Sequence, residues 1–199
     1  MGAEWAFAIY LGTAHTQTAA LSFSRPPVTF ASVEFRAESW KPPLYYGYRA
    51  AFFPRRHSWF GVEGEFTHLK AYAVLPDRRE VQRFSMSHGL NFVLVNIAAR
   101  RTLRTSSRGP LRLTARAGAG PTVPHVESTI AGVPEEGYQL GSIALHAGGG
   151  VEIPIGRHVS MLAEYKLTRV HEDAAAAGGH VRGTFVSHHA IAGVAWRTQ

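Results

Sequence analysis

The chain has 199 residues, a formal net charge of +7 and no cysteine, which excludes disulfide frameworks, thiolate metal sites and cysteine nucleophiles. Its length fits a single domain, residues 1–199, that can bury a core. No stretch approaches the ~20 consecutive apolar residues of a membrane helix, and Met1-Gly2-Ala3-Glu4 runs straight into strand-like sequence, so an exported chain is expected to have lost its leader.

Residues 5–13 place Trp5, Phe7, Ile9 and Leu11 against Ala6, Ala8, Tyr10 and Gly12, the period of two that marks a strand. Residues 14–40 form a long connection with room for a short strand near 33–36. Residues 44–53 are the second strand, with Arg49 in phase with Gly47, and 54–58 a tight turn. The third strand, 59–72, sets Glu63, Glu65 and Thr67 opposite Phe60, Val62, Gly64 and Phe66. After a loop at 73–83, residues 84–99 are apolar on both faces, which leaves their phase open. Residues 100–110 read as a basic turn. The fifth strand runs into ARAGAGPTVPHVES at 115–128. Leu111, Leu113, Ala115, Ala117 and Ala119 face one way; Arg112, Thr114, Arg116, Gly118 and Gly120 face the other. Pro121 and Pro124 cannot donate ladder hydrogen bonds and are expected to end it. A loop at 129–136 leads to the sixth strand, 138–155, with His146, Gly148, Gly150 and Glu152 in phase. The seventh, 159–170, sets Ser160, Glu164, Lys166 and Thr168 against Met161, Ala163, Tyr165 and Leu167. A glycine- and alanine-rich loop at 171–182 precedes the eighth, 183–196.

Eight strands joined alternately by long and short connections, with no helix, predict an all-β fold: an eight-stranded antiparallel up-and-down barrel. Several strands reach the ~9–11 residues that cross a bilayer. Aromatics gather at strand ends: Trp5, Phe52, Phe53, Trp59, Phe60 and Trp196 at the short-turn rim, Trp40, Tyr46, Tyr72, Phe84 and Phe185 at the long-loop rim. Two girdles suit a transmembrane barrel in an outer membrane; a soluble lipocalin-like barrel is the weaker alternative. The in-phase charges Arg49, Arg116 and Lys166 and Glu63, Glu65 and Glu164 then share a narrow interior and are expected to pair as a plug.

The pieces Pro42-Pro43-Leu44-Tyr45-Tyr46-Gly47-Tyr48-Arg49, Gly64-Glu65-Phe66-Thr67-His68-Leu69-Lys70, His88-Gly89-Leu90-Asn91, Gly118–Glu127 and Glu164-Tyr165-Lys166 resemble the bacterial outer-membrane β-barrel family that includes the lipid A oxidases, among the OmpA-like barrels. The resemblance runs nearly end to end and implies an outer-membrane location. For the enzymatic members it implies O2-dependent oxidation of the proximal glucosamine of lipid A to 2-aminogluconate, with a divalent metal ion. It carries no catalytic set residue by residue. The chain departs from it at the end, where Trp196 is followed by Arg197-Thr198-Gln199. A non-enzymatic OmpA-like structural or adhesive barrel is the alternative.

At the loop rim, His125 and Glu127 are the candidate catalytic residues and, with His171 and Glu172, the candidate metal ligands, because imidazole and carboxylate together hold redox metals. His68, His88, His188 and His189 stand at comparable heights, and His146 is expected to be a hydrogen-bonded interior histidine. Ser87-His88 and His125 with Ser128 invite a hydrolase reading that lacks a placed acid. The short turns hold Arg55, Arg56, Arg100, Arg101, Arg104, Arg108 and Arg157, and the long loops hold Asp77, Glu80, Glu127, Glu135, Glu136, Glu172 and Asp173. The basic excess therefore points to anionic phospholipid, and the acidic loops either share bridging divalent cations with lipopolysaccharide or are simply solvated. Nucleic acid is set aside for want of any motif, and a monomer is expected.

Overall fold

The computed structural model describes residues 2–76 and 80–198. These form β1 (Glu4–Thr16), β2 (Ala19–Ser24), β3 (Pro27–Arg36), β4 (Tyr46–Phe53), β5 (Phe60–His68), β6 (Ala71–Val74), β7 (Val81–Met86), β8 (Leu90–Ser106), β9 (Gly109–Ile130), β10 (Val133–Tyr138), β11 (Ile143–Pro154), β12 (Val159–Ala176) and β13 (Gly179–Arg197). All their pairings are antiparallel, and the long strands follow one another as β1-β4-β5-β8-β9-β11-β12-β13. β13 then pairs back onto β1, from Ala6↔Arg197 to Thr16↔Ser187. This ring leaves no free edge along its length.

The sheet has thirteen strands where eight were expected, because segments that read as loops are strands. β2 joins β13 through Val181↔Phe23, β3 pairs with β2 and β6, and β6 with β7. β7 and β10 then flank the far half of β9. Leu21, Phe23, Phe30, Val33, Phe35, Phe84 and Phe185 fill a hydrophobic core inside this extension. Phe84 and Phe185 are therefore core residues, not girdle residues. The expected third strand breaks after His68, and the expected fourth breaks at Gly89, whose φ of 107° is a left-handed turn conformation. Its open phase resolves with Phe92, Leu94, Asn96 and Ala98 buried and Val93, Val95 and Ile97 exposed.

The expected basic turn is the tip of the β8–β9 hairpin, which turns at Ser106↔Gly109. The expected loops at 129–136 and 171–182 are hairpins too. Pro121 and Pro124 do not end β9. They sit where its partner changes, between the last pairing with β11 at Ile143↔Pro121 and the first with β10 at Tyr138↔His125, so the missing donors fall where the ladder is interrupted.

β12 shows how polarity organises the wall. Its outward residues run Met161, Ala163, Tyr165, Leu167, then Arg169, His171, Asp173; its inward residues run Glu164, Lys166, Thr168, then Val170, Glu172, Ala174, Ala176. Both faces invert near Thr168. On one side of that level apolar chains point out and charges point in; on the other the arrangement is that of a water-soluble protein. The apolar belt includes Ile9, Val62, Val95, Ile97, Leu145, Met161 and Tyr165, all more than half exposed. At its lower edge Trp5 meets Phe52 at 5.1 Å and Phe7 meets Trp196 at 5.9 Å.

The β1–β13 seam needs a glycine. A Cβ at Gly193 would run into the Ile9 carbonyl oxygen and the Tyr10 Cα. Gly193→Ala is expected to wedge the seam and cost about 1–3 kcal/mol, read as a lower urea midpoint of the detergent-folded protein.

Candidate functional site

Inside the belt, the structure brings together Arg49, Glu63, Glu65, Arg116, Glu164 and Lys166, all buried. Lys166 Nζ donates to Glu65 Oε1 at 2.7 Å and Thr67 Oγ1 at 3.0 Å. Arg49 Nη2 lies 3.1 Å from Glu164 Oε2, Arg116 Nε lies 3.1 Å from Glu63 Oε1, and Arg116 Nη1 donates to Glu164. Tyr10 and Asn96 complete the set. Tyr10 donates to Glu65 at 2.5 Å, and Asn96 donates to Glu63 at 3.1 Å and Glu65 at 2.8 Å. Asn96 Oδ1 lies 3.0 Å from His146 Nδ1. Neither Tyr10 nor Asn96 carries a charge, so charge phasing alone passed over them. Pairing of this density is what keeps buried charge tolerable. The cavity lined by Arg49, Glu63 and Arg116 holds about 20 Å³, too little for a substrate.

At the far end, β9 carries its outward face past the belt. Ala117, Ala119, Pro121 and Val123 are followed in the same phase by His125 and Glu127. The Gly89 turn delivers His88 to them, and the His125 amide donates to the Gly89 carbonyl at 2.9 Å. His88 Nδ1 and His125 Nδ1 lie 3.3 Å and 3.6 Å from Glu127 Oε1. All three donor atoms fall within 4.8 Å of one another. Arg83 holds the other carboxylate oxygen, with Ser85 Oγ at 3.5 Å. The rings of His88 and Tyr138 stand edge-on to His125, at 4.7 Å and 4.5 Å.

His125 Nδ1 is buried and makes no hydrogen bond. Two imidazoles and a carboxylate converging around an unpartnered nitrogen fit a divalent transition metal, with Glu127 binding through one oxygen. His88 belongs to this set. The signal for it was the His88-Gly89 pair, since a glycine turn aims its neighbour across a strand end.

The other expected ligands lie elsewhere. His171 is exposed and bonds Thr184 Oγ1 at 3.0 Å. Glu172, next in sequence and so on the opposite face, is buried inside, where Thr122 donates to it and the Ser142 amide donates at 3.0 Å. Glu172 is thus not a loop acid, and Glu127 is paired. Asp77 falls outside the described residues. The hydrolase geometry does not form. Ser87 Oγ and Glu127 both approach the same His88 nitrogen, Nδ1, at 3.0 Å and 3.3 Å, whereas a relay uses the two ring nitrogens. Ser128 faces inward and accepts from the Ala177 amide.

No protein-family model and no curated protein matches the chain. Among solved structures it is similar to Neisserial surface protein A, at 17% identity and a TM-score of 0.48, over 98% of this chain and 99% of that one. It is also similar to Ail, the attachment invasion locus protein of Yersinia pestis, at 13% identity and a TM-score of 0.44, over 99% of each chain. Ail in complex with the heparin analogue sucrose octasulfate gives 13% identity and a TM-score of 0.41.

Proposed function

We propose that the chain is an eight-stranded up-and-down transmembrane β-barrel of a bacterial outer membrane. It acts on lipid A at its outer end, oxidising the proximal glucosamine to 2-aminogluconate with a divalent metal held by His88, His125 and Glu127. The barrel reading rests on the closed ring and on the inverted polarity of β12: methionine, tyrosine and leucine outside with glutamate and lysine inside is the arrangement a bilayer selects. From Leu113 to Val123, a stretch of eleven residues whose outward face is Leu113, Ala115, Ala117, Ala119, Pro121 and Val123, β9 has the length of a tilted transmembrane strand.

The single observation that carries the activity is the height and facing of the metal donors. His125 lies two residues, about 7 Å along the strand, beyond Val123, on the lipid-facing side of the wall. A headgroup in the outer leaflet would stand beside it. A redox-active metal held by His88, His125 and Glu127 would supply the electron transfer that lets dioxygen react with the sugar. The reaction requires a proximal glucosamine whose C1 hydroxyl is free of phosphate: two electrons and two protons would leave that hemiacetal for O2, giving hydrogen peroxide and a lactone, and hydrolysis of the lactone would add the new oxygen atom. The chain's own residues orient the ligands: Arg83 and Ser85 fix the Glu127 carboxylate, and Tyr138 fixes the His125 ring.

The test is mass spectrometry of lipid A from cells that express the exported protein and whose lipid A lacks the phosphate at C1, grown with and without oxygen. The reading predicts a gain of one oxygen atom that is absent without oxygen, and absent with His125→Ala or Glu127→Ala while the barrel remains folded. An unchanged spectrum beside a folded barrel would move the assignment to a non-enzymatic OmpA-like barrel.

A further inference from the structure

The short-turn end carries a second feature that the outer site does not use. Beside Trp59, the outward wall is made of small residues, Ala99 and Ala115 with Gly150 behind them, between the larger Leu113 and Val151. The result is an open, almost wholly apolar groove of about 520 Å³. Trp59, Arg100 and Arg101 also line an adjoining pocket of about 560 Å³, together with Arg112 and Arg157. The groove thus runs down the wall and ends among four arginines.

Their pairing is uneven. Glu4 is the acid of the pocket, and it is shared by Arg100, Arg112 and Arg197. Arg112 Nη1 is buried without a hydrogen-bond partner. Arg101 and Arg157 are exposed and form no ion pair among the described residues. Arg55, Arg56, Arg104 and Arg108, exposed at the same end, likewise form no ion pair among the described residues. Glu4 on β1 and Glu152 on β11 also stand at this end. Both are engaged by buried arginines, so they do not cancel the exposed positive charge.

We infer that this groove binds one anionic glycerophospholipid of the inner leaflet, its phosphate between Arg101 and Arg157 and an acyl chain along Ala99 and Ala115. The inference rests on the transmembrane reading. Charge complementarity selects the occupant: surface arginines attract anionic headgroups, and a narrow furrow between bulky side chains accepts a hydrocarbon chain without displacing polar contacts. Outer-leaflet lipopolysaccharide is excluded by position, since the groove lies at the end opposite His125 and Glu127 of β9.

The test is native mass spectrometry of detergent-folded protein whose fold has been verified by heat-modifiable gel mobility, so that failure of the barrel reading registers before lipid is added. The probes are phosphatidylglycerol, phosphatidylcholine and glycerol 3-phosphate. One phosphatidylglycerol is expected to stay bound with at least tenfold preference over phosphatidylcholine, and glycerol 3-phosphate is expected not to displace it. Arg101→Gln with Arg157→Gln should remove the preference by about tenfold. Ala115→Phe, which fills the groove and leaves every arginine in place, should abolish retention. Equal binding of the two lipids, displacement by glycerol 3-phosphate, unaltered retention in Ala115→Phe, or a second copy of the chain in place of lipid would each overturn the inference.

Discussion

Replacing Lys166 by methionine is expected to lower the stability of the folded barrel by about 3–5 kcal/mol, the usual consequence of removing one partner of a buried ion pair. Lys166 is fully buried, and its ammonium reaches Glu65, Thr67 and Tyr10 at 2.7–3.1 Å. Methionine matches its length but leaves Glu65 facing Tyr10 and Asn96 with its nearest cation gone. The loss should appear as a lower urea midpoint. The double variant Lys166→Met/Glu65→Gln should recover part of it, because the orphaned charge is removed as well. A midpoint unchanged in the single variant would mean that water reaches the network and that the lumen is not sealed by pairing.

Placing arginine at Ala163 should prevent assembly. Ala163 faces outward between Val151 and Ala192 on the neighbouring strands, in the middle of the apolar run of β12. An arginine at the bilayer midplane of a barrel costs about 2–4 kcal/mol, and the cost falls at insertion. The expected result is loss of the heat-modifiable folded band from membranes. The same substitution at Ala175, twelve residues along the same outward face, should be tolerated. Equal tolerance at both positions would indicate that both meet water.

The wall was legible in the sequence because period-two alternation survives wherever one face meets a uniform environment. β1, β4, β5 and β12 therefore read cleanly, and the six interior charges could be placed from phase alone. The extension was legible only at residues 33–36, the short strand expected there, which is the end of β3. β2, β7 and β10 have six residues each, and the contacts that join β2 to β13 and β7 to β9 link segments distant in sequence, so Leu21, Phe23 and Phe84 gave no local sign of a shared core. β9 was misjudged at Pro121 and Pro124 because proline was weighed against a continuous ladder, whereas the ladder changes partner there. His125 and Glu127 were visible as a rim pair. His88 depended on where a glycine turn aims, and His171 with Glu172 failed because neighbours on one strand point to opposite faces.

The central claim is that the apolar wall lies in a bilayer and that the β9 donors stand just above it. The absence of cysteine permits a direct measurement: spin labels on single cysteines at Ala163, Val123 and Ala175, with the protein folded in lipid bilayers. Collision with oxygen, which concentrates in hydrocarbon, is compared with collision with a water-soluble nickel chelate. The account predicts oxygen dominance at Ala163, nickel dominance at Ala175, and a value between them at Val123, close to the interface. Nickel access at Ala163 equal to that at Ala175 would contradict it, and the donors of β9 would then stand beside water and not beside a lipid headgroup.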